Sequence, residues 1–279
     1  METREFIRLS LLEDFGDGDH TSLSCIPPGS KGEAALLVKA TGILAGVALA
    51  REIFLQTDPD MEIHFQLKDG SPVENGMVAF TVSGSIHTIL GCERLVLNCM
   101  QRMSGIATLT NAYVQKTASY GTTILDTRKT SPLLRDLEKQ AVRIGGGKNH
   151  RMGLYDMILI KDNHVDFAGS IQNAITRALE YKIRLGLTIP IEVETRNLTE
   201  VQEALNTGGI NRIMFDNFTP DMMVKAVKMV EKQYETEASG GINLENVADY
   251  AATGVDFISV GALTHSAISL DLSLKAKRS

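Results

Sequence analysis

Five basic side chains set the chemistry this chain could perform: Arg128, Lys129, His150, Arg151 and Lys161. The stretch from Arg128 to His164 holds eight Lys or Arg against four Asp or Glu, a local charge of about +4, while the whole chain carries -6. Each of the five falls at the end of an apolar run or in a glycine-rich loop. Cations gathered on rigid strand ends in an acidic protein imply a small polyanionic ligand. Arg135, Lys139 and Arg143 recur at i, i+4 and i+8 beside an apolar stripe of Leu134, Leu137 and Ala141. Those three read equally well as the solvated face of a helix.

Glycines and acids accompany the cations. Gly145-Gly146-Gly147, ahead of Lys148, Asn149, His150 and Arg151, is either a plain turn or a loop bringing backbone N–H groups to an anion. It is no P-loop, because no Gly-Lys-Ser/Thr follows. Ser239-Gly240-Gly241 comes just before Asn243-Leu244, where a helix is expected to start, and Gly261 ends the next apolar run. This is the layout of a phosphate cradle at a barrel mouth. Glu192, Glu194 and Asp216 lie within this basic setting. Glu192 and Glu194 are two apart, so on a strand they point the same way. Such carboxylates can support Mg²⁺, bind ribose hydroxyls or pair with the cations.

The elements that must position these groups follow from periodicity. Up to about residue 120 the pattern is mixed. Strands are predicted at 33–39, 62–67 and 76–83, and helices at 47–57 and 86–103. Gly105 is expected to interrupt the long helix before a second helical stretch to about 118. From residue 122 short strands alternate with helices. The strands are 122–127, 157–161, 189–195, 212–216, 234–239 and 256–260; the helices are 132–143, 168–185, 198–206, 219–232 and 243–252. This alternation implies parallel strands with right-handed crossovers. It fits either a doubly wound sheet or a barrel. Functional residues at all six strand ends favour the barrel, where every C-terminal end meets at one mouth. Fewer than eight strands predicts an incomplete barrel.

Composition excludes several functions. Aromatics are 5% and Trp is absent, which leaves no platform for stacking bases, and only Tyr155 lies within the basic stretch. No run of apolar residues is long enough for a membrane span, and the N-terminus does not read as a signal peptide. Cys25, Cys92 and Cys99 have no metal or disulfide spacing and read as reduced thiols of a cytoplasmic protein. No Gly-x-Ser-x-Gly marks a serine nucleophile.

The motifs also occur in a telling order. They run from Glu13-Asp14-Phe15-Gly16-Asp17-Gly18-Asp19-His20-Thr21 through Glu93-Arg94 to Asn98, and Gln101-Arg102-Met103-Ser104-Gly105. Thr127-Arg128-Lys129-Thr130, the Gly145–Gly147 loop with Asn149-His150-Arg151, and Lys161-Asp162-Asn163-His164 follow. Glu192-Val193-Glu194, Asp216-Asn217, Glu237-Ala238-Ser239-Gly240-Gly241-Ile242 and Leu263-Thr264-His265 complete the set. Over nearly its whole length the chain resembles the quinolinate phosphoribosyltransferases, also called carboxylating nicotinate-nucleotide pyrophosphorylases.

The resemblance implies an N-terminal α/β sandwich over 1–112, an open, about seven-stranded α/β barrel over 113–265, and a tail, 266–279, that returns to the first domain. It implies transfer of a phosphoribosyl group from phosphoribosyl pyrophosphate to quinolinate, giving nicotinate mononucleotide, pyrophosphate and CO₂ in NAD biosynthesis. Mg²⁺ would assist, with no organic cofactor. A homodimer is implied, in which an arginine of one subunit enters the other's site. By motif position Arg102, Arg128, His150, Arg151 and Lys161 fall on the quinolinate side. Lys129, Glu194, Asp216, Ser239, Gly240, Gly241 and Gly261 fall on the phosphoribosyl side, and Thr127 and His265 join the substrate-binding set. Lys129, Lys161, Glu194 and Asp216 would be catalytic, with Mg²⁺ near the last two but not held by protein alone. The interval from Glu194 to Asp216 is one residue longer than the family pattern, so Glu192 and Glu194 both stand as the functional carboxylate. The chemistry of the residues also admits a related transferase with another aromatic acceptor, or a non-catalytic sensor of phosphorylated metabolites.

Overall fold

A computed structural model describes residues 2–277; the last two residues of the expected tail lie outside it. The chain divides into two compact units. One takes in the chain up to Asn111, Ser131–Gly146 and the chain from Ala267; the other comprises Ala112–Thr130 and Gly147–Ser266.

The first unit opens with α1 (Thr3–Phe15) and α2 (His20–Cys25), the latter capped by Asp19, whose carboxylate accepts from the Ser22 amide. β1 (Lys31–Val38), β2 (Gly42–Ile43), α3 (Val47–Thr57), β3 (Glu62–Phe65), β4 (Pro72–Val73) and β5 (Val78–Ser85) follow. One antiparallel sheet runs in the order β12-β1-β5-β3, where β12 is Leu272–Ala276 and pairs with β1 from Ala34 to Val38. β2 and β4 form a separate two-stranded sheet. Phe54 of α3 meets Phe80 of β5 edge to face at 6.3 Å in a core that includes Leu36 and Ile53, all fully buried.

α4 runs from Ile86 to Thr117, 32 residues, without a break at Gly105. The expected interruption is therefore wrong, and the reason is steric. A Cβ on Gly105 would sit 2.1 Å from the Ile268 carbonyl oxygen. The glycine admits a close neighbouring backbone inside a continuous helix rather than ending it. α5 (Arg135–Ile144) belongs to the same unit, and its Lys139 is fully buried. The helix bearing Arg135, Lys139 and Arg143 thus supplies none of the pocket cations described below.

The second unit realises all six strands read from the sequence. They are β6 (Thr123–Leu125), β7 (Ile158–Ile160), β8 (Ile191–Thr195), β9 (Arg212–Asp216), β10 (Glu235–Ser239) and β11 (Phe257–Ser259). All pair in parallel, in the order β6-β11-β10-β9-β8-β7. The edge strands β6 and β7 do not pair, so the barrel is open, with six named strands rather than about seven. A single parallel bridge between Leu125 and Lys148 stands where another strand would lie.

The crossovers carry α6 (Asp162–Ala168), α7 (Ile171–Leu185), α8 (Leu198–Thr207), α9 (Pro220–Val230) and α10 (Val247–Ala251), and α11 (Ala262–His265) follows β11. Ser170, Asn197 and Thr219 cap α7, α8 and α9 by accepting from the amide three residues on, and Pro220 opens α9. Alternation sorts the strand faces. Ile191, Val193, Ile213, Phe215, Ala238 and Ile258 are buried apolar residues on one face. The other face carries Glu192, Glu194, Arg212, Asp216, Glu237 and Ser239, which therefore share the interior side of the strands. Among the described residues no helix is long and apolar enough to cross a membrane.

Alanine for glycine within a helix ordinarily adds up to about 1 kcal/mol of stability. Gly105→Ala should instead destabilise by about 1–3 kcal/mol, the range for overpacking. Thermal unfolding measures this, and a melting temperature at or above the parent's would refute the steric account.

Candidate active site

The C-terminal ends of the six strands surround a cavity of about 810 Å³. Thr127, Arg128 and Lys129 enter after β6, His150 and Arg151 from the following loop, and Lys161 after β7. Glu194 comes from β8, Asp216 from β9, Ser239, Gly240 and Gly241 from the end of β10, and Gly261 and His265 from the end of β11. Every expected site residue except Arg102 lines this one cavity. The structure also separates the two candidate glutamates: Glu194 lines the cavity, whereas Glu192 lies below it and is fully buried.

One side of the cavity is cationic and short of partners. The Nε of Arg128 is buried and makes no hydrogen bond. Arg151 is 9% exposed and donates from Nη1 to the Met157 carbonyl at 3.3 Å. Burial, and then the nearby Arg128 guanidinium, lower the Arg151 pKa from its ordinary value. Two crowded guanidiniums favour an acidic ligand between them. The backbone here is fixed by Asp126, a buried residue the sequence reading passed over. Its carboxylate accepts from the His150 amide at 2.9 Å and from the Asn149 side chain.

The opposite side mixes charges. Lys161 Nζ lies 3.5 Å from Glu194 Oε2. Burial raises the pKa of Glu194 against the lowering effect of Lys161, and burial likewise raises that of Asp216. Asp216 accepts from the Asn217 side chain at 2.7 Å, and Asn217 adopts a left-handed backbone, φ 56°. Gly240 stands against that residue: a Cβ there would lie 2.3 Å from Asn217 Oδ1. Gly240 and Gly241 both have positive φ, at 91° and 65°, so the loop folds back on itself as only glycine readily allows.

One expectation about the loops needs correction, and one pair of alternatives is decided. No helix starts at Asn243; Asn243 accepts from the Glu245 and Asn246 amides in a turn, and α10 starts at Val247. Any anion at Gly240-Gly241 therefore meets loop amides. The triple glycine is not an anion loop at the cavity either. Gly145 ends α5 and fits where a Cβ would lie 2.4 Å from the Ala107 carbonyl oxygen, and none of the three glycines lines the cavity.

Arg102 lies elsewhere. It lines a cleft of about 530 Å³ in the first unit with Phe6, Asn98 and Leu137. Its Nη2 and Nε donate to Glu138 Oε1 at 2.8 and 3.1 Å, and its Nη1 donates to the Ala267 carbonyl at 3.1 Å.

At the cavity floor lies a charged cluster that sequence reasoning missed: His150 and Glu237 line the cavity, and Glu192 and Arg212 do not. His150 Nε2 is 3.0 Å from Glu192 Oε2 and 3.5 Å from Glu237 Oε2. Arg212 Nη1 donates to Glu237 at 2.8 Å, and its guanidinium stacks over Phe257 at 4.0 Å. Burial pushes both carboxyls up to about 7, against the pull of the Arg212 charge. The available signal was Glu237 itself, an acid in the middle of a short buried strand.

Comparison with known proteins fits this geometry. Residues 106–275 match the model of the quinolinate phosphoribosyl transferase C-terminal domain, and residues 19–104 that of its N-terminal domain. Quinolinate phosphoribosyltransferase [decarboxylating] 1b of Nicotiana tabacum is 46% identical over 96% of this chain and 81% of its own length. The probable nicotinate-nucleotide pyrophosphorylase [carboxylating] of Bacillus subtilis is 43% identical over 98% and 93%. Among solved structures, NadC from Streptococcus pyogenes superposes with a TM-score of 0.92 at 34% identity, covering 98% of this chain and 96% of that one. The fold and cavity are those of a pentosyltransferase built on an open α/β barrel. The chain belongs to the quinolinate phosphoribosyltransferase family.

The buried carboxyl of Glu237 predicts a pH effect on stability. Its folded pKa, about 7, exceeds the ordinary 4.5, so the folded state holds the proton more tightly than the unfolded chain. That contribution is complete below about pH 4.5 and is lost as the pH rises through about 7. Glu237→Gln removes it. Denaturant titrations should show the variant gaining on the parent from pH 5 to pH 8; a constant difference across that range contradicts the assignment.

Proposed function

We propose that this cavity transfers the phosphoribosyl group of phosphoribosyl pyrophosphate to quinolinate and releases CO₂. The observation that carries the reading is one cavity with the crowded guanidiniums of Arg128 and Arg151 on one side and Lys161, Glu194 and Asp216 on the other. The quinolinate nitrogen attacks C1 of the ribosyl group as the bond to pyrophosphate breaks. The nitrogen gains a positive charge, so the ring can retain the electrons left when the adjacent carboxylate departs as CO₂. A proton from solvent then replaces it. No organic electron sink is needed.

Arg128 and Arg151 pair with the acceptor carboxylates, with His150 at the same end and Lys161 reaching toward them from the other side. Glu194 and Asp216 stabilise positive charge developing on the ribosyl carbon, and Lys129 and Lys161 stabilise the departing phosphates. The Ser239-Gly240-Gly241 loop and Gly261 receive the ribosyl phosphate; Gly261 is held close by its neighbours, since a Cβ would lie 2.9 Å from Lys129 Cδ. Thr127 and His265 complete the lining.

Glu194 and Asp216 offer oxygen donors to the cavity with no histidine between them, a set that suits a hydrated Mg²⁺ shared with substrate phosphates. Mg²⁺ would neutralise charge on the leaving group. A cytoplasmic location belongs to the same proposal.

Incubation with quinolinate, phosphoribosyl pyrophosphate and Mg²⁺ should yield nicotinate mononucleotide by mass and an equal amount of CO₂, with chelator stopping the reaction reversibly. Nicotinate should be a very poor acceptor, because it leaves a built cationic site unpaired; such sites reject analogues by roughly 10⁴-fold. Efficient turnover of nicotinate, or binding without product, would favour a different acceptor or a sensor. Arg151→Ala should weaken quinolinate use by about 2–3 kcal/mol, the worth of a charge-assisted hydrogen bond, and leave phosphoribosyl pyrophosphate little affected. Equal losses for both would make Arg151 structural.

We further propose a homodimer in which Arg102 of a second copy completes the quinolinate site. Support comes from Arg102, which lies outside the cavity of its own chain and is held by Glu138. Mixing the inactive variants Arg102→Ala and Lys161→Ala should restore part of the activity. No recovery after verified subunit exchange would count against shared sites.

A further inference from the structure

Glu192, Glu237 and Arg212 have no part in the chemistry above, yet the two glutamates lie against His150, whose ring meets the backbone of Arg151. His150 Nδ1 accepts a hydrogen bond from the Arg151 backbone amide at 2.7 Å. That nitrogen must therefore carry a lone pair, which puts the ring proton on Nε2. Nε2 points at the carboxylates, 3.0 Å from Glu192 and 3.5 Å from Glu237. Glu192 is fully buried and neither of its oxygens makes a hydrogen bond of good geometry, so its approach to Nε2 is a close electrostatic contact. Below it, Arg212 links Glu237 and Glu235 at 2.8 Å each.

The ligand atoms of His150, Glu192 and Glu237 lie within 4.8 Å of one another, which also suggests a metal site. The tautomer argues against it: an Nε2 bearing hydrogen has no lone pair to offer. The Arg212 guanidinium already supplies positive charge to the pair. The donor set fits a ring oriented by neighbouring charge better than a coordinated ion.

We infer that Glu192 and Glu237 are positioning residues for the acceptor site: their close approach to Nε2 orients the His150 ring electrostatically, and through Nδ1 the ring holds the backbone from which Arg151 reaches the acceptor carboxylate. A side chain launched from a fixed backbone keeps its ligand geometry, and loosening that support weakens binding without removing any ligand contact. The inference rests on the assignment of Arg151 to quinolinate.

Two measurements test it separately. In substrate-free protein, ¹⁵N spectra of the histidine rings, with His150 assigned from His150→Asn, should show the Nε2-protonated neutral ring. An Nδ1-protonated ring, or metal bound in stoichiometric amount by elemental analysis, overturns the inference whatever the enzyme's substrate. In kinetics, the isosteric variants Glu192→Gln and Glu237→Gln should each raise the KM for quinolinate about tenfold, as for loss of one charge beside the ring, and leave the KM for phosphoribosyl pyrophosphate unchanged. Equal changes in both constants, or none, overturn it. If one variant fails to fold, the other carries the kinetic test. If the parent chain does not turn over quinolinate at all, the proposed function fails, and the ring spectra still decide the positioning.

Discussion

Like charges must be held together in this protein, and the rest of the site follows from how that is done. Arg128 and Arg151 crowd each other at the strand ends, partly out of water. Such a pair is unfavourable unless negative charge stands nearby. Until a ligand arrives, the interior supplies it. Glu192 exerts an opposing pull on Arg151, Glu237 joins Glu192, and Arg212 closes the array from below against Phe257. Charge therefore alternates in layers down the inside of the strands. Only parallel strands of matched register can stack these layers, with Glu237 beside Met214 and Glu192 beside Arg212. The outward face carries no such load and holds no charged residue at its buried positions.

Loops complete what the strands begin. The strand ends bring side chains to the mouth, but closeness to a phosphate depends on backbone. Gly240 and Gly261 each occupy space that a methyl group would fill. Asn217 takes up the strained left-handed conformation beside Gly240 and ties Asp216 with its side chain. The rigid part of the site is thus as much a matter of missing side chains as of present ones.

The sequence made the second unit legible because its signals are local. Short apolar strands, capping residues at Ser170, Asn197 and Thr219, and polar residues at strand ends needed only neighbouring positions to be read. The failures share the opposite property. Gly105 looked like a break because the backbone that presses on it comes from Ile268, far along the chain. Lys139 belonged to a basic helical face by spacing, yet it is buried. The triple glycine left a plain turn and an anion loop both open, because nothing nearby in sequence revealed the carbonyl of Ala107. Glu237 and Asp126 escaped notice because their partners, His150 and Arg212, are joined to them only by the strand order. β12 pairs with a strand more than two hundred residues earlier, and its five residues alone carry little pattern.

That last pairing bears on how the chain is made. β1 leaves the ribosome early, but its partner β12 follows only after every residue of the second unit. During synthesis the first sheet therefore waits with one edge of β1 bare. Exposed edges are where nascent chains pair wrongly with one another. The second unit, whose strands join mostly near neighbours in sequence, can close its sheet while the first remains unfinished. A chain truncated before Leu272 would hold every strand of the barrel and an amino-terminal sheet lacking its edge strand, so the order of synthesis decides which sheet is finished last.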